Sequence, residues 1–192
     1  MALPSTITDE LLDRLTSRVS GSTDNTWKLT EVYTGEVITE LPQSKPADIE
    51  AAFDKARAAQ HEWSQWPLKK RLAVFKRFHQ MVLDDALIIS DLIQAESGKA
   101  RRMAFDEICD VPMVISYYLK RAPKLLAPVK RAGAVPVVSS STEVRQPKGV
   151  VGIIGPWNFP FATGLSDAIP ALMAGNGVVV KPDNKTALSP LY

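Results

Sequence analysis

The sequence predicts an α/β protein in which an amino-terminal helical layer precedes a single βαβ unit. From Pro46 to about Pro123, apolar residues recur at helical spacing over several segments. The runs GVVGII (149–154) and VVVKP (178–182) are short and continuously apolar, as strands of a parallel sheet buried on both faces are. The segment between them has helical period, which completes the βαβ pattern.

Two smaller elements are predicted before the helical layer. Residues 8–19 form an amphipathic helix with its apolar stripe on Leu11, Leu12, Leu15 and Val19. Two runs rich in β-branched and aromatic residues then flank Thr34-Gly35, which predicts a hairpin.

The helical layer is predicted to contain at least three helices, and each has a recognisable boundary or stripe. Pro67 suits the first turn of one helix, Gly98 ends the next, and a long helix covers roughly 99–121 with Pro123 just past its end. The apolar stripes expected to face a core are Ile49, Ala52, Phe53 and Ala56, followed by Leu72, Phe75, Phe78 and Val82.

The chain changes character at Gly133. Residues 133–147 are poor in helix formers and predict an extended segment, with Pro136 and Pro147 restricting it to an edge or a protruding strand. In the βαβ unit, Pro170 is expected to kink the helix and Gly175-Asn176-Gly177 to end it. The turn after the first strand is where open α/β sheets bind ligands.

Composition excludes several classes of protein. The net charge is +2, with 45% hydrophobic and 23% charged residues, so neither nucleic acid nor a membrane is an expected partner. No apolar run is long enough to cross a bilayer, and the amino terminus has no leader pattern. One cysteine fits a reducing compartment, so a cytoplasmic location is expected.

The titratable candidates outside the βαβ unit have simple structural interpretations. His61 and His79 have no partners at metal-ligand spacing, so no metal site is expected. Cys109 lies on a helix between Asp106 and Asp110, whose charges disfavour a thiolate nucleophile. A buried, inert thiol is the simpler interpretation.

Pro156-Trp157-Asn158-Phe159-Pro160 follows the first predicted strand, and Lys181-Pro182 ends the second. These two motifs resemble the aldehyde dehydrogenase superfamily, most closely its NADP-dependent succinate-semialdehyde dehydrogenases. The glycines at 149, 152 and 155 alone are weak evidence for a nucleotide, because they do not form G-x-G-x-x-G. Fainter similarity covers residues 33–38, 96–99 and 145–150. The resemblance implies an enzyme that oxidises a small aldehyde, succinate semialdehyde in particular, to its acid with a nicotinamide cofactor.

The resemblance also implies roles for residues of the first turn. Asn158 would donate its side-chain amide to the substrate oxygen as negative charge develops, a contribution typically worth ~10²–10³ in rate. The alternative is that Asn158 caps the following helix or stabilises the turn. Trp157 would present its backbone to the cofactor, or simply pack in the core. Phe159, Thr163 and Ser166 would line the substrate tunnel.

The second turn is expected to set cofactor choice. Lys181 would bind the adenosine ribose, with Pro182, Asp183 and Asn184 beside it. Members that prefer NAD often have a glutamate where this chain has Asn184, so NADP is favoured and NAD is the alternative. Asp183 complicates this expectation, because its carboxylate is adjacent.

We expect three regions: residues 1–132 form the hairpin and helical part, 133–147 an arm through which the family-length protein forms a homo-oligomer, and 148–192 the incomplete cofactor-binding βαβ core. The catalytic cysteine, the general-base glutamate and the second glycine-rich turn of the family are not among the 192 residues. The fragment alone is therefore expected to be inactive, and more sequence is expected after Tyr192. Two alternatives stay open: a non-catalytic nucleotide-binding remnant, and a helical interaction module that co-assembles with an intact paralogue.

Overall fold

The computed structural model describes residues 3–135 and 138–192; the predicted edge residue Pro136 lies outside them. The helices are α1 (Asp9–Thr16), α2 (Pro46–Gln65), α3 (Leu68–Asp84), α4 (Ala86–Ser97), α5 (Arg101–Leu125), α6 (Pro160–Ser166), α7 (Ala168–Met173) and α8 (Leu188–Leu191). The strands are β1 (Ser22–Thr30), β2 (Val37–Gln43), β3 (Val129–Ala132), β4 (Ser140–Glu143), β5 (Val150–Ile154) and β6 (Gly177–Lys181). The predicted α/β class, with helices first and a βαβ unit last, is confirmed.

The amino-terminal helix and hairpin form one of two hydrophobic cores. Helix α1 starts at the N-cap Thr8, whose side chain accepts a hydrogen bond from the Leu11 N–H, and its leucine stripe is buried as predicted. Strands β1 and β2 pair antiparallel, and Gly35 takes the positive φ that their turn requires. This core extends to α4 and α8 through Leu92 and Leu188.

The helical layer agrees with the sequence in most respects and differs in two. Helix α4 ends at Gly98 in the left-handed conformation, as predicted. The long helix α5, however, continues to Leu125, so Pro123 lies inside its last turn and not beyond its end. A proline in a last turn frees only one carbonyl near an exposed helix end, where water can satisfy it.

The predicted stripe on α2 is not a core face. No residue of α2 is buried, and Ile49 is exposed over about half of its surface. The stripe instead forms one wall of an open groove of about 950 Å³ between α2 and the parallel strands. The second stripe, on α3, faces a core as predicted, with Phe75 and Val82 buried.

The extended segment contains a short antiparallel hairpin. Strand β3 pairs with β4 from Val129↔Glu143 to Ala132↔Ser140. The ladder thus begins before Gly133, where the sequence predicted the start of the extended region. Both strands are mostly exposed, and Pro147 follows the ladder without interrupting it.

Strands β5 and β6 pair parallel, from Val150↔Gly177 to Ile154↔Lys181, as expected for the two strands of a βαβ unit. The connecting helix is broken at Asp167 into α6 and α7. Pro170 causes the break, because its ring clashes with the carbonyl of Ser166 and it has no N–H to donate there. The expected burial on both faces is only partial: Ile153 is buried, whereas Ile154 is 81% exposed.

Within the described residues no helix has the length and apolar character needed to cross a membrane.

Candidate functional site

The two turns that follow β5 and β6 lie side by side at the carboxyl edge of the parallel pair. The Gly155 N–H, the first after β5, donates to the carbonyl of Lys181 at 3.0 Å. This bond extends the ladder by one step beyond Ile154 and fixes where both turns begin. The sheet edge thus brings the Trp157-Asn158 turn next to the Lys181–Asn184 turn, the position at which α/β sheets bind ligands.

Asn158 is exposed at the tip of the first turn. Among the described residues its side chain makes no hydrogen bond. The N-cap position of α6 belongs to Phe159, and no N-cap side chain is bonded there. The interpretation of Asn158 as a helix cap is therefore not supported, and its amide is presented outward. Trp157 beside it is 56% exposed, so core packing does not explain it.

The amino-terminal turn of α6 is capped by Glu107, a side chain from α5. Its Oε1 accepts hydrogen bonds from the Phe161 N–H at 2.8 Å and the Ala162 N–H at 3.2 Å. Its Oε2 forms an ion pair with the amino group of Lys99. The Glu107 carboxylate is completely buried, and both of its oxygens are occupied.

A second buried glutamate caps the start of α8 in the same way. Glu96, at the end of α4, accepts from the Leu188 N–H at 2.5 Å through Oε1 and from the Ser189 N–H at 2.9 Å through Oε2. Burial raises the pKa of Glu96 to about 7, and the negative charge of Glu107 adds to the rise, although the two backbone donors oppose it. One carboxylate from the helical layer thus holds the start of α6, and another holds the start of α8.

The groove described above opens onto the second turn. Lys181, Pro182 and Asn184 contribute to its wall, together with Ile154 and Val180. Lys181 and Asn184 are exposed there.

Asp183 is oriented differently. Its carboxylate accepts from the Lys185 N–H at 2.9 Å, and it is not among the groove-lining residues. The Asp183 carboxylate, whose direction could not be assigned from the sequence, therefore bonds to the backbone of its own turn.

The three residues expected to line a substrate tunnel lie along α6. Phe159 is at its N-cap, Thr163 is exposed within it, and Ser166 is its last residue and half-buried. The amino group of Lys99 lies 3.7 Å from the centroid of the Phe159 ring, a cation–π geometry that orients the ring. None of these three residues lines the groove between α2 and the parallel strands.

The remaining candidates have no role at this edge. Cys109 is half-buried within α5, without a glycine turn or a helix amino terminus to present it. Among residues 3–135 and 138–192, no group of three or more His, Cys, Asp or Glu could hold a metal ion.

The capping roles of Glu107 and Glu96 were not predicted, although both residues lie in apolar helical stripes of the sequence. Glu107 shares the buried stripe of α5 with Ala104, Ile108 and Val111, and Glu96 follows Leu92 and Ile93 on the buried stripe of α4. A carboxylate in a core register must be paired or hydrogen-bonded, because an isolated buried charge is costly. Each position therefore indicated a partner elsewhere in the fold.

The parallel strand pair, the paired turns and the adjoining groove define the opening βαβ unit of an α/β fold. Comparison with known proteins narrows this class. The aldehyde dehydrogenase family profile matches residues 19–192, and the chain belongs to this family.

Individual relatives agree with the family. The chain is 47% identical over 156 residues to the Mycolicibacterium smegmatis protein named "Putative succinate-semialdehyde dehydrogenase (NADP+)", which covers 81% of this chain and 30% of that protein. It matches an NAD-dependent benzaldehyde dehydrogenase from Corynebacterium glutamicum at 31% identity and a TM-score of 0.82, covering 90% of this chain and 37% of the other. A double mutant of Staphylococcus aureus betaine aldehyde dehydrogenase in complex with NAD+ matches with a TM-score of 0.86 at 26% identity, over 94% and 38% of the two chains. The chain thus spans about a third of the length of these relatives.

Proposed function

We propose that this chain forms the amino-terminal part of an enzyme that oxidises succinate semialdehyde to the carboxylic acid with NADP. The observation that carries the proposal is the exposure of Asn158 at the carboxyl edge of a parallel sheet, next to the turn that carries Lys181. The similarity to the smegmatis relative supports the choice of substrate.

We place the dinucleotide at the rim of the groove, where Lys181 and Asn184 lie. A volume of about 950 Å³ with an apolar wall is within the range of small-ligand sites, and the exposed Lys181 supplies a cation at its rim. When bound, a nicotinamide cofactor supplies the oxidant for the aldehyde. Lys181 would hold the adenosine ribose, and the Trp157 backbone would lie along the cofactor.

The preference for NADP rests on the charges around the second turn. Asn184 is neutral and on the groove wall, and the Asp183 carboxylate is satisfied by the Lys185 N–H. A 2′-phosphate near Lys181 would therefore lie beside the Lys181 cation and the neutral Asn184 amide, while the Asp183 carboxylate is bonded to the Lys185 N–H. NAD is the alternative, since nothing in this turn excludes the smaller cofactor.

Asn158 would stabilise the reacting oxygen. Attack of a thiolate on the aldehyde carbon places negative charge on the carbonyl oxygen, and a fixed neutral donor stabilises that charge without exchanging a proton. The thiolate would come from outside these 192 residues, because Cys109 is held within α5. By itself the chain would not turn over an aldehyde.

The substrate assignment also uses the chemistry of α6. Thr163 and Ser166 are small and polar, and a short aldehyde with a carboxylate tolerates such a wall better than a long aliphatic one does. We expect Phe159 to form the apolar part of the tunnel.

A chimera tests the proposal. The chain would replace the matching segment of the smegmatis relative, and cofactor reduction would be measured with succinate semialdehyde and with long aliphatic and aromatic aldehydes. The expected result is turnover of succinate semialdehyde with NADP. A folded chimera that prefers long fatty aldehydes would contradict the substrate class.

A chimera that binds NADP without turning over any aldehyde would favour the nucleotide-binding remnant. The groove is the observation that keeps this second function open. Co-purification of the unfused chain with the intact relative would favour the helical interaction module, with residues 133–147 as the first segment to delete.

A further inference from the structure

We infer that Glu107, which is held by an ion pair with Lys99, is a positioning residue for the side-chain amide of Asn158. This inference rests on the proposed function and adds to it two residues that touch neither substrate nor cofactor. The geometry links them in one chain of contacts: Lys99 to Glu107, Glu107 to the first turn of α6, and that turn to Asn158, which immediately precedes it.

The first turn of α6 has no means of its own to hold its position. Pro160 has no N–H, and the Thr163 N–H bonds to the Phe159 carbonyl at 3.1 Å. The two remaining donors, on Phe161 and Ala162, both point at Glu107 Oε1. A helix of seven residues is also too short to be stable alone. Glu107 therefore accepts from both N–H groups of the first turn that lie between Pro160 and Thr163.

Lys99 fixes the carboxylate from the opposite side. Its amino group pairs with Glu107 Oε2 and also lies over the ring of Phe159, the residue after Asn158. The Lys99 side chain is only 15% exposed, so this pair is shielded from solvent and from salt. One cation thus orients both the carboxylate under the turn and the aromatic ring within it.

The position of Asn158 depends on this support. Its exposed side chain has no hydrogen-bond partner among the described residues, so the backbone of the turn is what fixes the origin of the side chain and the region that its amide can reach. A donor stabilises a developing oxyanion only when it is held within a few tenths of an ångström of the required place, and misplacement by about 1 Å can cost roughly a hundredfold in rate.

Glu96 supplies the matched control. It is also buried and also accepts hydrogen bonds from two consecutive backbone donors, those of Leu188 and Ser189, but it holds the start of α8 and not the turn of Asn158. A variant of Glu96 should lose comparable stability without moving Asn158.

The experiment uses the chimera described above and compares Glu107→Gln with Glu96→Gln. Glu107→Gln should lower the acylation rate by roughly tenfold to a hundredfold while the KM for cofactor changes little. In the same sample without substrate or cofactor, amide hydrogen exchange should accelerate at residues 158–162. Glu96→Gln should instead accelerate exchange at residues 187–190 and leave acylation near the parent rate.

A second pair of variants covers the case in which Glu107→Gln does not fold. Lys99→Met keeps the carboxylate and removes the cation, and Lys99→Arg restores it. We expect acylation to fall in Lys99→Met and to recover in Lys99→Arg.

Equal exchange at both segments in both glutamine variants would overturn the inference, because it would show a general loss of stability. Unchanged acylation in a folded Glu107→Gln or Lys99→Met would overturn it as well. An inactive parent chimera would instead contradict the proposed function, and hydrogen exchange would still decide whether Glu107 holds the turn.

Discussion

Asn176 holds Gly149 in place: its side-chain Oδ1 accepts a hydrogen bond from the Gly149 N–H at 3.1 Å, and a second from the Lys148 N–H at 2.6 Å. The same side chain donates through Nδ2 to the Ala171 carbonyl at 2.9 Å. Since Asn176 directly precedes β6 and Gly149 directly precedes β5, one amide fixes the amino ends of both strands and the end of the helix between them.

Asn176→Ala should therefore destabilise the βαβ unit by about 1–3 kcal/mol, because two part-buried backbone donors lose their acceptor. Equilibrium denaturation of the chimera measures the change. Asn176→Asp separates acceptor from donor: it keeps the acceptor oxygens but sets a buried carboxylate oxygen against the Ala171 carbonyl, so its loss of stability should be smaller at low pH, where the carboxyl group is protonated, than at neutral pH. An alanine variant as stable as the parent would contradict the assignment.

Asn158→Ala should reduce the acylation rate by ~10²–10³ and leave cofactor affinity nearly unchanged, because the amide matters once charge develops on the substrate oxygen. Stopped-flow measurement of the acylation phase and titration with NADP separate the two effects. Parallel losses of affinity and rate would show that Asn158 maintains the turn and is not an oxyanion donor.

Cofactor preference should respond to a charge at Asn184. Asn184→Glu places a carboxylate on the groove wall near Lys181, which should weaken NADP binding by roughly tenfold or more and affect NAD far less. Asn184→Gln changes size without charge and should retain the preference of the parent. If both variants weaken the two cofactors equally, the position does not meet the 2′-phosphate.

Stability should decrease between about pH 4.5 and pH 7 because of Glu96. Its pKa is near 7 in the folded protein and ordinary, near 4.5, in the unfolded chain, so the folded state binds more protons within this window. The stabilisation from proton binding by Glu96 is complete below pH 4.5, declines as the pH rises and is lost above pH 7. It amounts to at most about 3 kcal/mol.

The control for this prediction is Glu96→Gln, which should abolish the decline. Hydrogen bonding by the Lys45 N–H lowers the pKa of Asp48, so the titration of that group ends below the window. Denaturation midpoints of parent and variant, measured at several pH values, give the difference directly. A parallel pH dependence in the two proteins would contradict the role of Glu96.

The 192-residue chain alone should give a strong helical circular-dichroism spectrum with a broad thermal transition. The outer edges of β5 and β6 pair with no strand among the described residues, and Ile154 and the α2 stripe are uncovered. Binding of a hydrophobic dye reports the uncovered surface. A sharp cooperative melt from a monodisperse sample would show that the chain is a domain in its own right.

Local sequence patterns predicted the elements well where the cause of an element is local. The Gly98 stop, the Thr34-Gly35 turn and the break before Pro170 follow from the stereochemistry of single residues. The extent of α5 was underestimated because Pro123 is tolerated in a last turn. The α2 stripe was assigned to a core because periodicity shows which residues share a face and not what covers it.

The candidate site was predictable only in part for the same reason. The motif located Asn158 and Lys181 at strand ends, and the structure brings their turns together. The burial pattern of Glu107 and Glu96 indicated that each has a partner, but which helix start each one caps depends on packing between segments far apart in sequence, which no local pattern specifies. The direction of the Asp183 carboxylate depended on side-chain conformation and also required coordinates.

The two glutamate caps have a consequence for the order of folding. The bond from Phe161 to Glu107 spans 54 residues and the bond from Leu188 to Glu96 spans 92. Closing loops of this length has an entropic cost that local helix formation does not have, so α4 and α5 should form before either cap. During synthesis both carboxylates leave the ribosome well before the turns that they hold. The helical layer therefore acts as a template, onto which the first two strand–turn–helix units dock in the order in which they are translated.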